Sequence, residues 1–287
     1  MHRPVRKTER PPSRPAARRH ARRPRTDVGR STPTRGWDHV ASWYDRLVGD
    51  EGSDYHRHLI LPAALRLLDP QPGEQLLDLC CGQGVLVRAL LAANPKLVVG
   101  VDASPKLIAA AKARGGADQR VRFVVRDARR LGDLAAAQFD AAACVMAVHD
   151  LEAIDELFAQ MSRALRPGGR AVVILLHPCF RIPRQSDWGW DETKKTRYRR
   201  IDRYASPLSI PIATHPGRDP QQHTLFYHRP LADYINALGR AGLAIIACEE
   251  LLTHRRAEPG SHSRAENRAA QEFPLFVALK AIKGASS

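Results

Sequence analysis

The chain has 287 residues, of which 44% are apolar and 26% are charged, and its formal net charge is +15. This length is ample for a buried core. The apolar run 171–176 is among the longest in the chain and is far shorter than the roughly 20 residues of a membrane-spanning helix. We therefore expect a folded, cytoplasmic protein that does not cross a membrane.

Basic residues are concentrated in the first 35 positions. Segment 1–35 holds 12 Lys or Arg and two acids, so the remaining 252 residues carry a net charge of only +5. The segment is rich in Arg and Pro and nearly free of large apolar side chains, which predicts a disordered tail. We expect contact with nucleic acid only through this tail.

The five cysteines are scattered and include no CxxC pair: Cys80, Cys81, Cys144, Cys179 and Cys248. This pattern predicts reduced thiols and no metal site.

Predicted helices at 37–48 and 55–68 precede a regular alternation of strands and helices. Strands are predicted at 75–79, 97–101, 121–125, 139–145 and 170–176, and helices at 84–93, 105–114 and 154–165. Pro167-Gly168-Gly169 is expected to end the last of these helices. The alternation predicts an α/β fold: a doubly wound, mostly parallel sheet with helices on both faces.

The alternation stops after His177. Segment 177–228 contains six prolines, nine Lys or Arg, five acids and several aromatic residues, which predicts an ordered insertion or lid. Trp188, Trp190 and Tyr204 are expected either to wall an acceptor or to pack within the lid. A helix from Pro230, ended at Gly242, and strands at 243–248 and 274–282 complete the prediction.

We therefore expect the tail at 1–35 to be followed by one domain, residues 36–287. Its predicted parts are N-terminal helices at 36–74, a binding core at 75–176, the acceptor-side insertion at 177–228, and a C-terminal helix with strands at 229–287.

The strongest motif is LLDLCCGQG at residues 76–84, in which a buried strand runs into a glycine turn that opens a helix. In open α/β sheets, ligands bind just beyond the carboxyl ends of the strands. Glycine lets the backbone approach such a ligand closely. The third glycine of a dinucleotide-binding fingerprint would fall at Val87, so that fingerprint fails.

Acidic residues end the next two strands. Asp102 lies 18 residues past Gly84, where a carboxylate can accept both ribose hydroxyls of a nicotinamide or an adenosyl nucleoside. Asp127 ends the third strand, where it can accept a hydrogen bond from an adenine amine. Residues 139–150 and the LRPGG motif at 165–169 complete an ordered set of five motifs.

This set, spanning residues 76–176, resembles the class I S-adenosylmethionine-dependent methyltransferases of the small-molecule type. The resemblance implies the strand order 3-2-1-4-5-7-6, with strand 7 antiparallel, and S-adenosyl-L-methionine as cofactor. It implies a cofactor site made of Asp78, Cys80, Cys81, Gly82, Gly84, Asp102, Ala103, Asp127, Ala128 and Met146. Asp78 and the turn would hold the methionine end, Asp102 the ribose, and Asp127 with Ala128 the adenine. The family often has glycine where this chain has Cys80 and Cys81, and the two thiols raise the question of oxidation sensitivity.

The resemblance also implies transfer of a methyl group to a small-molecule acceptor. The stretch 146–150, MAVHD, lacks the Asn/Asp-Pro-Pro-Tyr signature of enzymes that methylate amino groups of nucleic acid or protein glutamine. His149 and His177 follow strands four and five and are the candidate bases for an acceptor that must lose a proton. Each histidine can equally be a hydrogen-bonded structural residue, and Asp150 can be the N-cap of the following helix.

The sequence leaves three other functions to consider. An RNA methyltransferase could use the basic tail as an anchor. A nicotinamide oxidoreductase is disfavoured by Val87 and Asp127, and a non-enzymatic relative by the intact Asp78, Asp102 and Asp127. The sequence does not indicate whether oxygen, nitrogen or carbon is methylated, nor the oligomeric state.

Overall fold

The computed structural model describes residues 36–213 and 223–284; the tail predicted at 1–35 lies outside the described residues. The strands of the described part are β1 (Gln75–Leu79), β2 (Leu97–Asp102), β3 (Val121–Val125), β4 (Phe139–Val145), β5 (Leu165–Leu176), β6 (Ser186–Asp191), β7 (Thr196–Ile201), β8 (Leu208–Ala213), β9 (His223–His228), β10 (Leu243–Leu251) and β11 (Phe276–Lys283).

Seven of these strands form the central sheet, in the order β3-β2-β1-β4-β5-β11-β10. The pairs among β1 to β5 are all parallel, whereas β11 runs antiparallel to both β5 and β10. The sixth and seventh strands of the sheet are thus β10 and β11. The predicted order, with an antiparallel seventh strand inserted beside strand 5, is confirmed.

Helices cover both faces of the sheet. They are α1 (Ala41–Val48), α2 (Leu61–Leu68), α3 (Val85–Leu90), α4 (Pro105–Gly115), α5 (Ile154–Ala164), α6 (Leu231–Arg240) and α7 (Ser263–Ala270). Residues of α2, α3 and α4 form a buried core with one face of the sheet. Residues of α5 and α6 form a second core with the other face.

The strand β1 illustrates why the sheet is buried on both sides. Successive side chains of a strand point to opposite faces. Leu76 packs into the core with α2 and α3, and Leu77 and Leu79 pack into the core with α5. A strand with apolar side chains on both faces is stable only as an interior strand.

Several predicted boundaries need correction. The predicted helix at 37–48 is a 3₁₀ turn at Trp37–His39 followed by α1, and the one at 55–68 has a π-helical stretch, His56–Ile60, before α2. Strand β5 begins at Leu165 rather than at residue 170. Its pairing with β4 is irregular between Phe139 and Ala141, so the predicted helix stop at Pro167–Gly169 is an irregular part of the strand.

An insertion follows β5, as predicted. It forms two antiparallel hairpins, β6–β7 and β8–β9. Ile182, Ile210 and Phe226 give it a small apolar core of its own. The helix α7, between β10 and β11, was not predicted. No helix in residues 36–213 or 223–284 is both long and apolar enough to cross a membrane.

Candidate functional site

The turn after β1 has the backbone conformation that the glycine motif predicts. Gly82 and Gly84 have φ values of +55° and +81°. Cys80 shares this left-handed region, with φ +57°, although it is not glycine. The amide of Cys81 donates to the carbonyl of Val101 at 2.9 Å, which fastens the turn to β2.

The carboxylate of Asp102 holds the same turn from the end of β2. Its Oδ2 accepts from the amide of Gly82 at 2.9 Å, and its Oδ1 accepts from the amide of Ser104 at 2.8 Å. Burial raises the pKa of Asp102, and the two amide donors oppose that rise. Asp102 therefore shapes the glycine turn as well as facing the cavity beside it.

That cavity has a volume of about 540 Å³ and lies at the carboxyl ends of β1 to β4. Seven of the ten predicted cofactor residues line it: Cys80, Gly82, Asp102, Ala103, Asp127, Ala128 and Met146. The other three, Asp78, Cys81 and Gly84, are not among its lining residues. Asp78 and Cys81 are buried behind the turn, with exposed fractions of 2% and 6%.

Asp127 is held by its neighbour Arg129. The Arg129 Nε donates to Oδ1 at 3.0 Å and Nη2 donates to Oδ2 at 2.7 Å. These hydrogen bonds are the main reason why the pKa of Asp127 lies below its usual range. The carboxylate is therefore ionised and fixed in orientation.

The N-terminal segment forms one wall of the cavity, which sequence reasoning missed. Gly36, Trp37, Asp38 and Tyr44 all line it. Asp38 Oδ1 accepts from Ser104 Oγ at 2.8 Å and from the Lys106 amide at 3.0 Å. No local motif marks Asp38, because its partners lie more than sixty residues further along the chain.

The insertion reaches the cavity through β9, whose Tyr227 is a lining residue. Trp188 instead packs edge-on against Phe273, with ring centroids 5.4 Å apart. Trp190 stacks on His262 at 4.0 Å. The two tryptophans thus pack against residues just after and just before α7, and neither they nor Tyr204 line the cavity.

His149 and His177, the predicted bases, do not line this cavity. His149 is 5% exposed, and its ring lies 4.9 Å from that of Phe226. His177 is 1% exposed; its Nδ1 accepts from the Cys179 amide at 3.2 Å, so Nε2 donates to Glu250 Oε1 at 2.8 Å. Burial lowers the pKa of both rings, that of His149 to about 4.

The buried His149 makes the fold sensitive to acid. An ordinary histidine binds a proton near pH 6.5, so the unfolded chain takes up a proton that the folded chain refuses until about pH 4. We expect the unfolding free energy of the wild type to fall relative to His149→Gln as the pH drops from 6.5 towards 4, by at most about 1.4 kcal/mol per pH unit. Urea unfolding of both proteins at several pH values measures this difference. If the unfolding free energies of the wild type and His149→Gln changed in parallel with pH, the prediction would be wrong.

Asp150 does not cap the following helix, so that interpretation was wrong. The N-cap of α5 is Ala153, and no side chain bonds there. Asp150 instead ends the 3₁₀ turn Val148–Asp150 and lines the cavity. Burial raises its pKa well above the usual aspartate value.

A second polar cluster lies away from the cavity, at Asp54, His58 and His254. Its ligand-type atoms all lie within 4.8 Å of one another, a spacing that a metal ion could use. The Asp54 carboxylate, however, already accepts from Arg255 Nε at 2.7 Å. The cluster therefore links the chain just before α2 to the segment after β10 by an ion pair.

Comparisons with known proteins point to one family. Residues 77–173 match the family described as a methyltransferase domain. The 2-phytyl-1,4-naphtoquinone methyltransferase of Synechococcus elongatus is 32% identical over 148 residues, which are 49% of this chain and 62% of that protein. A ubiquinone/menaquinone biosynthesis C-methyltransferase of Rubrivivax gelatinosus is 35% identical over 131 residues, which are 46% of this chain and 50% of that protein. Both alignments thus span less than two thirds of the relative's length.

The fold comparison extends over more of the chain. The crystal structure of an S-adenosylmethionine-dependent methyltransferase from Mesorhizobium loti superposes with a TM-score of 0.61 and 29% identity. It covers 77% of this chain and 96% of the other. These matches agree with the sheet order, the glycine turn and the acids at the ends of β2 and β3: residues 77–173 are a methyltransferase domain, and the chain has the fold of the class I S-adenosylmethionine-dependent methyltransferases.

Proposed function

We propose that the protein transfers a methyl group from S-adenosylmethionine to a small-molecule acceptor. The observation that carries the proposal is the cavity at the carboxyl ends of β1 to β4, where the glycine turn and Asp102 meet. This is the edge at which open α/β sheets bind their ligands.

The residues present fit the cofactor. A cavity of about 540 Å³ is within the usual range of small-molecule sites. A side chain at Gly82 would meet the ring of Tyr44 at 3.2 Å, so glycine keeps open the space between the turn and the N-terminal wall. The cavity is lined by five acids and one arginine, which suits a ligand with a net positive charge.

Each part of the site would hold one part of the cofactor. Asp102 would accept hydrogen bonds from the ribose hydroxyls, and Ala103 would lie beside them. Asp127 and Ala128, at the end of β3, would contact the adenine. The turn from Cys80 to Gly84, with Asp78 buried behind it, would take the methionine end.

The cofactor would supply a methyl group on a positively charged sulfur. An acceptor can attack the methyl carbon directly, and the sulfur then leaves as a neutral thioether. The chain's contribution is therefore alignment and the exclusion of water. Trp37 and Tyr44 on the N-terminal wall, and Tyr227 of β9, bring aromatic surface to the cavity. Met146, at the end of β4, has φ +57° and its amide donates to the Ile174 carbonyl at 2.7 Å, which fixes this part of the lining.

The acceptor is proposed to be small because one relative is named as a naphthoquinone methyltransferase and another as a methyltransferase of ubiquinone/menaquinone biosynthesis. In addition, no signature of nucleic-acid amino methylation follows β4. Their names make quinones the first acceptors to test, supplied in the reduced form because the acceptor must act as a nucleophile. The structure of the labelled product would then identify the methylated atom.

The test begins with calorimetry. Wild-type protein is expected to bind S-adenosylmethionine and S-adenosylhomocysteine and to show no heat with NADH. Methyl-labelled cofactor is then incubated with reduced quinones and with a small-molecule cell extract, and labelled products are identified by mass spectrometry. Binding of NADH in place of S-adenosylmethionine would favour the oxidoreductase interpretation and refute the proposal.

The basic tail is expected to be dispensable for this activity. Within the described ranges, the cavity's lining begins at Gly36, and segment 1–35 lacks the apolar side chains needed for packing. A chain that begins at Arg35 should keep the melting temperature and the cofactor affinity of the full chain. A salt-dependent loss of RNA methylation on truncation, with total RNA as substrate, would instead support an RNA methyltransferase.

A further inference from the structure

Asp150 is a carboxylate at the cavity without a partner. It lies at the end of the 3₁₀ turn after β4, where its backbone amide donates to the Ala147 carbonyl at 2.9 Å. Among the hydrogen bonds and ion pairs of the described residues, none involves its side-chain oxygens. A partly buried charged group without a partner is energetically costly, which makes it a candidate for ligand contact.

The other acids of the cavity are already engaged or exposed. Asp38 accepts from Ser104 and Lys106, Asp102 from two backbone amides, and Asp127 from Arg129. Glu152 is exposed to solvent, where its charge is screened. Of the acids in this cavity, Asp150 is therefore the one whose protonation a bound cation would change most.

Within residues 36–213 and 223–284, no Lys, Arg or His side chain is paired with Asp150. Asp150 lies close enough to Tyr44 of α1 and Tyr234 of α6 for its charge to act on their hydroxyls; burial raises the pKa of Tyr234 to about 12 and also raises the pKa of Tyr44, so both hydroxyls stay neutral. The guanidinium of Arg229 donates to the backbone carbonyls of Leu151 and Glu152. Asp78 and Asp102 have the same sign of charge as Asp150.

The sheet order places Asp150 on a particular side of the turn. The ends of β3, β2, β1 and β4 follow one another along the edge, and Asp127 and Asp102 follow the first two. Asp150 follows β4, beyond the turn that ends β1. If the adenosyl part lies at β3 and β2, Asp150 is on the opposite side, towards the methionine sulfur.

We infer that Asp150 is the counter-charge for the sulfonium of S-adenosylmethionine and that it discriminates this cofactor from S-adenosylhomocysteine, whose sulfur is neutral. The inference rests on the proposed function. An opposite charge close to a carboxyl favours its ionised form. Binding of the cation therefore releases a proton wherever the free carboxyl is protonated, and binding of the neutral product does not. Loss of the charge on methyl transfer would then weaken product binding and help its release.

The test is calorimetry with the two ligands between about pH 5 and pH 8, in buffers of different ionisation enthalpy. Wild-type protein should release protons on binding S-adenosylmethionine, and fewer or none on binding S-adenosylhomocysteine. Asp150→Asn should abolish the difference in proton release. It should also weaken S-adenosylmethionine binding by about tenfold or more, and change S-adenosylhomocysteine binding by less than about threefold.

Asp155→Asn is the matched control, since it makes the same change at an exposed acid of α5 that does not line the cavity. Its affinities for both ligands should stay close to those of the wild type, because an exposed charge is screened. Equal losses of affinity for both ligands in Asp150→Asn, or proton release that persists in it, would refute the role of Asp150. If the wild type binds neither ligand, the proposed function itself fails.

Thermal unfolding separates this role from a folding defect. The buried carboxyl has a raised pKa, so the folded chain holds its proton to higher pH than the unfolded chain, and stability falls as the pH rises above the usual aspartate value. Asp150→Asn should therefore melt at a higher temperature than the wild type at pH 8, and at a similar temperature near pH 4. A variant that melts lower at every pH and binds neither ligand would show that Asp150 is structural.

Discussion

Replacing Asp102 by alanine is expected to weaken the binding of S-adenosylmethionine and S-adenosylhomocysteine alike, by at least about tenfold. The carboxylate makes two hydrogen bonds to backbone amides, those of Gly82 and Ser104, and leaves lone pairs for a ribose. A hydrogen bond to a charged group contributes roughly 1.5–3 kcal/mol. Loss of the carboxylate therefore removes a ligand contact and also loosens the glycine turn. Calorimetry with both ligands measures the combined effect of the two changes on affinity.

The comparison variant is Asp127→Ala, at the end of the neighbouring strand. Both oxygens of Asp127 are engaged by Arg129, so less of its hydrogen-bonding capacity is available to a ligand. We expect a smaller loss of affinity than in Asp102→Ala. An unchanged dissociation constant in a folded Asp102→Ala protein would refute the ribose assignment.

The sheet could be predicted from the sequence because its signals are local. Short apolar segments, glycine turns and helical stripes give the strands in order, and the resemblance to a known family supplies the order in the sheet. The irregular start of β5 could not be predicted, since Pro167-Gly168-Gly169 is an ordinary helix stop. Only its pairing with β4 shows that the strand begins at Leu165.

The cavity was predictable where its residues follow strands and not where distant segments close it. Asp102 and Asp127 are recognisable in the sequence because each lies at the carboxyl end of a predicted strand. Asp38 and Tyr44 reach the cavity because α1 packs against α4, where Arg114 donates to Asp45 at 2.9 and 3.1 Å. Such a contact spans 69 residues and has no local signature.

The predicted bases show a different limit of sequence reasoning. His149 and Asp150 are adjacent, and a pattern cannot tell which of them faces a ligand. The structure turns the imidazole towards Phe226 of the insertion, 77 positions later, and puts Asp150 in the cavity lining. The side that each residue faces depends on the insertion, whose packing the sequence does not specify.

The second large effect is expected from Gly84→Ala, in the turn that opens α3. Gly84 has φ +81°, a conformation that costs a residue with a Cβ about 1–2 kcal/mol. A methyl group there would also lie 2.9 Å from Phe123 Cζ and 3.3 Å from Ala111 Cβ. Overpacking of this kind typically costs about 1–3 kcal/mol more. We expect a loss of roughly 2–5 kcal/mol in unfolding free energy, measured by urea denaturation.

Gly168→Ala separates the two contributions, because Gly168 has φ +74° and no atom within 4 Å of an added Cβ. It should show the backbone cost alone, about 1–2 kcal/mol. In the background of Phe123→Leu, which removes the ring that the new methyl group would meet, Gly84→Ala should cost less than in the wild type. Equal losses for Gly84→Ala and Gly168→Ala would mean that the close approach of Phe123 to the turn contributes nothing. The glycine would then be needed only for its dihedral angle. A larger loss at Gly84, relieved by Phe123→Leu, would show that the ring on β3 sets the shape of the turn and thereby the part of the cavity lining that Cys80 and Gly82 form.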